Sequence, residues 1–280
     1  MKTIPKIALL ALALASHLHA DPIPENLRQN GWFLGAQAYT FKEFSAFEAI
    51  AKTKEAGGNV IEFFPGQALK PGSADKVGHT MSETALADLK AECARQGVHA
   101  VSYGVVAAKN AEEVHTIMSF AKKMGLYSIC TESTELVAAW ETAAKEFDVC
   151  VAFHEHGGSM AKPGYKVWNP LYILGVVESR DHRLGACADL GHWCTSNLNS
   201  LECLRILNGR IIGVHLKDKA SKGEAAVVIA GTGVVDVAAC IDELKKQKFD
   251  GNISVEHEND WKDNVGQVRA DLDFVKARAK

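Results

Sequence analysis

The stretch "VCVAFHEHGG", residues 149–158, decides how the chain is read. An apolar run of β-branched and aromatic residues stops abruptly at His154, Glu155 and His156, and two glycines follow. A solvated strand end explains such a sequence as well as a site does, so the neighbouring segments have to decide. They repeat the pattern. "WFLGAQAYT", "NVIEFF", "VHAVSYGVV" and "YSICTE" precede the quoted run, and "LGACADLG", "RIIGVHLKD" and "NISVEHE" follow it. Each is followed by an amphipathic stretch, at 45–57, 82–96, 110–124, 134–147, 169–180, 200–207, 236–247 and 264–279. Helix starts are marked by Thr80-x-x-Glu83 and Asn110, and helix ends by Gly57, Gly97 and Gly125. The strands read as continuously apolar, which suits a parallel sheet covered on both faces.

Eight strand–helix units in one chain, with no linker or shift in composition, predict an α/β fold: a single-domain (β/α)8 TIM barrel. The longer connections at 64–79, 157–168 and 218–235 all follow strands, so they rise over the C-terminal face, where barrels build their sites.

The first twenty residues stand apart. Lys2 and Lys6 give a basic start, Ile7 to Ala15 is unbroken apolar sequence, and Ala20 is a small residue suited to cleavage. This is the pattern of a secretory signal peptide, too short to span a bilayer. The division is therefore a signal peptide at 1–20 and a barrel domain at 21–280, exported to a periplasmic or extracellular location with no membrane insertion after cleavage. Removing Lys2 and Lys6 shifts the formal net charge from −3 to −5. With no basic stripe, that charge weighs against nucleic acid as a partner. Seven cysteines cannot all pair. Several sit in apolar runs, where a thiol behaves as a small hydrophobe, so most are expected free and buried.

Alternation along the strands puts His154 and His156 on one face, and His215 and Lys217 on one face. The fifth strand ends in His154-Glu155-His156, and the sixth in Asp189 with His192 three residues on. The seventh ends in His215, with Lys217 and Asp218 beyond, and the eighth in Glu256. Four consecutive strand ends thus carry metal-capable side chains to one rim. Two imidazoles and two carboxylates suit one divalent transition metal, Mn²⁺, Zn²⁺, Co²⁺ or Fe²⁺.

At this point the chain resembles the xylose-isomerase-like TIM barrels, which include sugar phosphate isomerases/epimerases and ketose 3-epimerases. The resemblance rests on "DLGHW" at 189–193, "GRIIGVHLKD" at 209–218 and "GNISVEHE" at 251–258. It implies a metal held by His154, Asp189, His215 and Glu256, with His154 replacing the glutamate of an "ALENHGG"-type pattern. In the epimerases both metal-bound glutamates also move protons; here only Glu256 keeps that place. The resemblance therefore implies an isomerase/epimerase-type enzyme acting on a free sugar or keto-sugar, with Glu256 as the base.

His156, Lys217, Glu62 and His154 are the candidates for the second proton transfer. Lys217 either stabilises an enediolate oxyanion or pairs with Asp218. Glu62 either contacts substrate or stands in a structural ion pair, and His192, by the same resemblance, contacts substrate or supports the ligands from behind. Tyr39, Phe64, Trp168 and Trp193 could stack on sugar or simply fill the core. Lyase chemistry on a 3-keto-glycoside is the alternative reaction, and a non-catalytic, metal-containing sugar-binding protein is the alternative class. A repair endonuclease is disfavoured by charge and export. "AGTGVV" at 230–235 reads as a turn.

The export reading has a direct check. Intact-mass measurement on protein from the native host should find a chain beginning at or near Asp21 outside the cytoplasm. A soluble cytoplasmic chain retaining Met1 would contradict it.

Overall fold

The computed structural model describes residues 23–157 and 163–278. The proposed signal peptide lies outside them. Eight parallel strands close into a barrel: β1 (Phe33–Gln37), β2 (Val60–Phe63), β3 (His99–Val106), β4 (Ser128–Thr131), β5 (Cys150–Phe153), β6 (Leu184–Asp189), β7 (Ile211–Leu216) and β10 (Asn252–Val255). Neighbours in sequence are neighbours in the barrel, and β10 closes it against β1. A two-stranded hairpin, β8 (Asp218–Lys219) with β9 (Val227–Val228), occupies the long connection after β7. The outer layer contains α1 (Ala46–Ala56), α2 (Glu83–Gln96), α3 (Ala111–Met124), α4 (Val137–Phe147) and α5 (Pro170–Val177). It continues with α7 (Ser200–Ile206), α8 (Val237–Lys246) and α9 (Val265–Arg278). The sequence reading missed one helix, the short α6 (Leu190–Thr195) directly after β6. No helix among the described residues is long and apolar enough to cross a membrane.

Local signals explain the boundaries. Ser45 and Glu48 form a reciprocal capping box at the start of α1, and Gly57 ends that helix in the left-handed conformation. Asn110 caps α3 as expected, whereas α2 is capped by Ser82 and not by Thr80. The "AGTGVV" segment is a turn: Gly231, Gly233 and Val235 all donate backbone N–H groups to the Asp218 carboxylate. That ties the hairpin loop to the end of β7.

The barrel interior changes character along its axis. Ile23, Phe33, Val60 and Val101 form an apolar plug at the N-terminal end. Further along, small and polar residues fill the space: Ser128 donates to Ser102 at 3.0 Å, and Asn252 to Ser254 at 2.8 Å. Cys130, Ala152, Cys187 and Ile212 pack together in the same interior. All seven cysteines are free thiols, with Cys150 alone half-buried and the others buried.

Close approach of β1 to β2 depends on Gly35. A Cβ there would sit 1.6 Å from the Val60 carbonyl oxygen, backbone that cannot swing aside. Gly35→Ala should therefore destabilise by about 1–3 kcal/mol or more through overpacking, a fall in Tm of roughly 3–10 °C for a domain of this size. Calorimetry checks this, and an unchanged Tm would refute the contact.

Candidate active site

The register of the parallel strands assembles the site. Asp189 lies opposite His215 on β6 and β7, and Ser254 lies opposite His215 on β10, which brings Glu256 to the level just above. Thr131 lies opposite Phe153, so Glu132 and His154 emerge side by side. The expected ligands follow one another in a chain of close pairs. His154 Nε2 is 3.6 Å from Asp189 Oδ2, His215 Nδ1 is 3.6 Å from the same oxygen, and His215 Nδ1 is 3.1 Å from Glu256 Oε2.

These groups are buried, and their inward-facing atoms lack hydrogen bonds. His154 Nδ1 and Nε2, Asp189 Oδ2, His215 Nδ1 and Glu256 Oε2 are each buried without a hydrogen-bond partner. Buried polar atoms are almost always satisfied; the two carboxylate oxygens lie beside the Lys217 ammonium, but the imidazole nitrogens that face them have no hydrogen bond, so the cluster calls for a ligand. Two imidazole and two carboxylate donors fit a divalent transition metal. The donor set at this centre whose ligand atoms all lie within 4.8 Å of one another is His154, Asp189, His192 and Glu256, with His192 in place of His215. His192 Nε2, however, already lies 3.1 Å from the Lys217 ammonium. His215 Nδ1 instead faces Glu256 Oε2, so His215 and His192 are the two candidates for the ligand beside His154, Asp189 and Glu256.

The outer faces of the ligands are held in place. Of the two roles open to Glu62, the structure shows the ion pair and not the substrate contact: it is buried behind His215, with Oε2 3.1 Å from Nε2, and does not line the cavity. The carboxylate accepts the Nε2 proton and leaves Nδ1 as the free donor atom, a familiar way to orient a ligand histidine. Asp189 is divided in use: Oδ1 caps α6 by accepting from the His192 amide at 2.7 Å, which leaves Oδ2 for the centre. Its own amide donates to Glu155 Oε1 at 3.0 Å. Burial, reinforced by the nearby Asp189 charge, pushes the Glu155 carboxyl well above the usual range, so Glu155 is a neutral brace.

Lys217 is the largest surprise. Its side chain is fully buried, and Nζ lies 3.1 Å from Asp189 Oδ2, 3.0 Å from Glu256 Oε2 and 3.1 Å from Glu258 Oε1. Burial opposes the charge, but the three carboxylates outweigh it and raise the ammonium further above its ordinary value. The expected alternative of pairing with Asp218 does not occur, because Asp218 is engaged by backbone amides. Close passage of the Lys217 stem requires Gly191, where a Cβ would lie 2.5 Å from the lysine Cγ. His192 is pushed well below its usual pKa by burial, with Lys217 adding to the effect. A neutral His192 accepts from the ammonium at Nε2 and carries its proton on Nδ1.

A cavity of about 480 Å³ opens over this centre, lined by Gln37, Tyr39, Phe64, His156, His192, Glu256, Glu258 and Trp261 among others. His156 is half-exposed at its edge, with Nδ1 2.6 Å from Glu132 Oε1. Glu132 also accepts the Tyr165 hydroxyl, which in turn accepts the His156 amide. Although burial would raise it, the Glu132 carboxyl is held well below its ordinary range by His154, His156 and Tyr165. The sequence reading missed Glu132, Tyr165 and Glu258. Glu258 continues the alternation of Ser254 and Glu256, a signal available in "SVEHE"; Tyr165 lies in a loop and left none. Of the aromatic candidates, Tyr39 and Phe64 line the cavity, Trp193 is buried in the core, and Trp168 donates to the Tyr165 carbonyl.

A closed eight-stranded barrel with a polar, metal-capable centre at the C-terminal ends of β5, β6, β7 and β10 defines the architecture of a barrel enzyme. The chain belongs to the xylose isomerase-like TIM barrel family, whose sequence model matches residues 50–278. No match is found among curated proteins. Among solved structures it is similar to an uncharacterised protein from Parabacteroides distasonis ATCC 8503, with 29% identity and a TM-score of 0.71 over 88% of this chain and 99% of that one. It is also similar to a D-allulose 3-epimerase from Methylomonas sp., with 17% identity and a TM-score of 0.67 over 88% and 98% of the two chains. A third is the probable 3-DHS dehydratase AsbF from Bacillus anthracis, with 14% identity and a TM-score of 0.60 over 87% and 98%.

The donor set makes a prediction in two parts. Elemental analysis should find close to one divalent transition metal per chain, lost in Asp189→Ala and retained in His192→Ala. Wild-type protein that is metal-free and cannot be reloaded overturns the site, and metal loss in His192→Ala transfers the ligand role from His215 to His192.

Proposed function

We propose that the protein is an exported, divalent-metal-dependent enzyme that moves a proton at a carbon beside the carbonyl of a sugar or keto-sugar. The observation that carries this reading is the buried cluster of metal-capable donors on His154, Asp189, His215 and Glu256, of which Glu256 borders an open cavity. Bound there, a divalent metal supplies chelation of adjacent carbonyl and hydroxyl oxygens and acidifies the C–H between them.

The protein's own groups have separable tasks. Glu256 reaches the cavity edge and takes the proton. Burial alone would raise its pKa, but Lys217 and His215 hold its carboxyl below the ordinary range and keep it ionised. Lys217 is closed off from the cavity, so it acts on the reaction through Glu256, Asp189 and His192. His156 stands at the cavity with Nδ1 fixed on Glu132, an imidazole placed to exchange a proton with substrate. Membership of the family, and the shared fold with the allulose epimerase, support chemistry of the isomerase/epimerase type.

One observation favours a second reaction at the same site. The groups available for proton transfer differ in kind: a carboxylate, Glu256, and an imidazole, His156, backed by Glu132. Unlike groups suit β-elimination from a keto-glycoside, in which a base takes the α-proton and an acid protonates the leaving oxygen. The dehydratase among the similar structures shares this fold and supports the possibility of lyase chemistry.

NMR of candidate keto-sugars with metal-loaded protein in D₂O tests the reading. Deuterium should enter the carbon next to the carbonyl, and Glu256→Gln should slow this by ~10²–10⁴-fold while metal is retained. His154→Ala should act through metal occupancy and recover in part at high metal concentration. Near wild-type exchange in metal-loaded Glu256→Gln would sink the assignment of the base. A binding protein would show no exchange at all, and release of a leaving group with enone formation would mark the lyase.

A further inference from the structure

We infer that the site takes a substrate of at least two rings, with a second sugar ring or aglycone held on an aromatic ledge outside the reacting centre. This rests on the sugar-directed reading above and extends it to the substrate's size. The ledge is built from Tyr39, Phe64 and Trp261. Tyr39 meets Phe64 edge-on with ring centroids 5.3 Å apart, and meets Trp261 edge-on at 5.8 Å. Edge-to-face packing on both sides fixes the three rings without sandwiching Tyr39 between two faces. Tyr39 remains 36% exposed, one of only three exposed large hydrophobics among the described residues. Such an aromatic at the mouth of a polar cavity is a recognition surface, not core packing.

Three hollows meet at this ledge. The cavity over the proposed metal centre shares Tyr39 and Phe64 with a neighbouring hollow of about 500 Å³. It shares Trp261 with another of about 690 Å³. Glu43 borders both outer hollows. A single sugar ring over Glu256 and His156 therefore leaves the space beyond the aromatics unfilled.

The chemistry of the rim matches a carbohydrate. Lys42 Nζ lies 3.6 Å from the centroid of Trp261 and 4.9 Å from that of Tyr39, which covers part of the aromatic surface with a cation and steadies it. Lys42 and Glu43 also offer a donor and acceptors beside the rings. Apolar ring faces flanked by charged hydrogen-bonding groups suit the C–H face and hydroxyl edge of a pyranose. A wholly apolar partner would leave those charges unmet.

Calorimetric and saturation-transfer NMR titrations of the full chain with Mn²⁺ present test this, with glucose, maltose and cellobiose as probes. At least one disaccharide should bind about tenfold more tightly than glucose, the worth of one good stacking contact, with saturation reaching both rings. Trp261→Ala and Tyr39→Ala should bring that disaccharide to within about twofold of glucose. Trp261→Phe, which keeps a stacking face, should preserve most of the gain and controls for folding. Equal binding of all three sugars overturns the ledge, as does absence of binding, or an equal loss for glucose and disaccharide in Trp261→Ala. Asp189→Ala separates the two readings. If it binds both sugars as the wild type does while the disaccharide preference persists, the metal-centred reading fails and the ledge stands.

Discussion

The register between β6 and β7, which sets Asp189 opposite His215, is the constraint on which the site depends. In a parallel ladder a one-residue slip turns every side chain to the other face. Such a slip here would move Asp189 under the helices and leave His215 without its neighbour. The register is guarded on both sides. Asp189 caps α6 through Oδ1, and β10 pairs with β7 so that Glu256 follows Ser254 on the inner face. One aspartate thus ends a strand, begins a helix and offers its second oxygen to the centre.

Collecting so many acids creates an electrostatic problem that Lys217 answers. Asp189 and Glu256 share the ammonium, with Glu258 on its outer side. Buried charges of one sign cannot accumulate without neutralising or finding a counter-ion, and breaking a buried pair typically costs about 3–5 kcal/mol. The chain uses both routes. Lys217 keeps Asp189 and Glu256 ionised, while Glu155, without a cation of its own, is held neutral. Glu132 uses a third solution, hydrogen bonds from His156 and Tyr165. The barrel therefore tolerates a metal-capable centre because each carboxylate has its charge state set locally.

How much of this was legible follows from what alternation can encode. The fold and the convergence of His154, Asp189, His215 and Glu256 could be read because strand ends and period-two spacing are local properties of the sequence. Glu258 was equally readable, two residues beyond Glu256 at the end of the same "NISVEHE" run, and was not weighed as a site residue. The role of Glu62 was not readable, since its partner His215 is 153 residues away and only barrel closure brings them together. Glu132 stood at the end of β4 in plain view. Its significance comes from Tyr165, which a loop delivers to it. Pairings between a strand end and a loop carry no periodic signal, so sequence reasoning finds the strand-borne half of such a site and misses the loop-borne half.

The asymmetry of the centre follows from the same geometry. With His154 at the end of β5, the imidazole there has no ionisable oxygen to move a proton at the face opposite Glu256. A carboxylate stands one strand back, Glu132, whose Oε1 lies 3.9 Å from His154 Nδ1 and 2.6 Å from His156 Nδ1. The first distance is too long for a hydrogen bond and leaves only electrostatic attraction, whereas the second is a short, direct one. Glu132 is thereby coupled to the exposed His156 and only loosely to the buried His154. The buried imidazole faces the centre, and the exposed one borders the cavity.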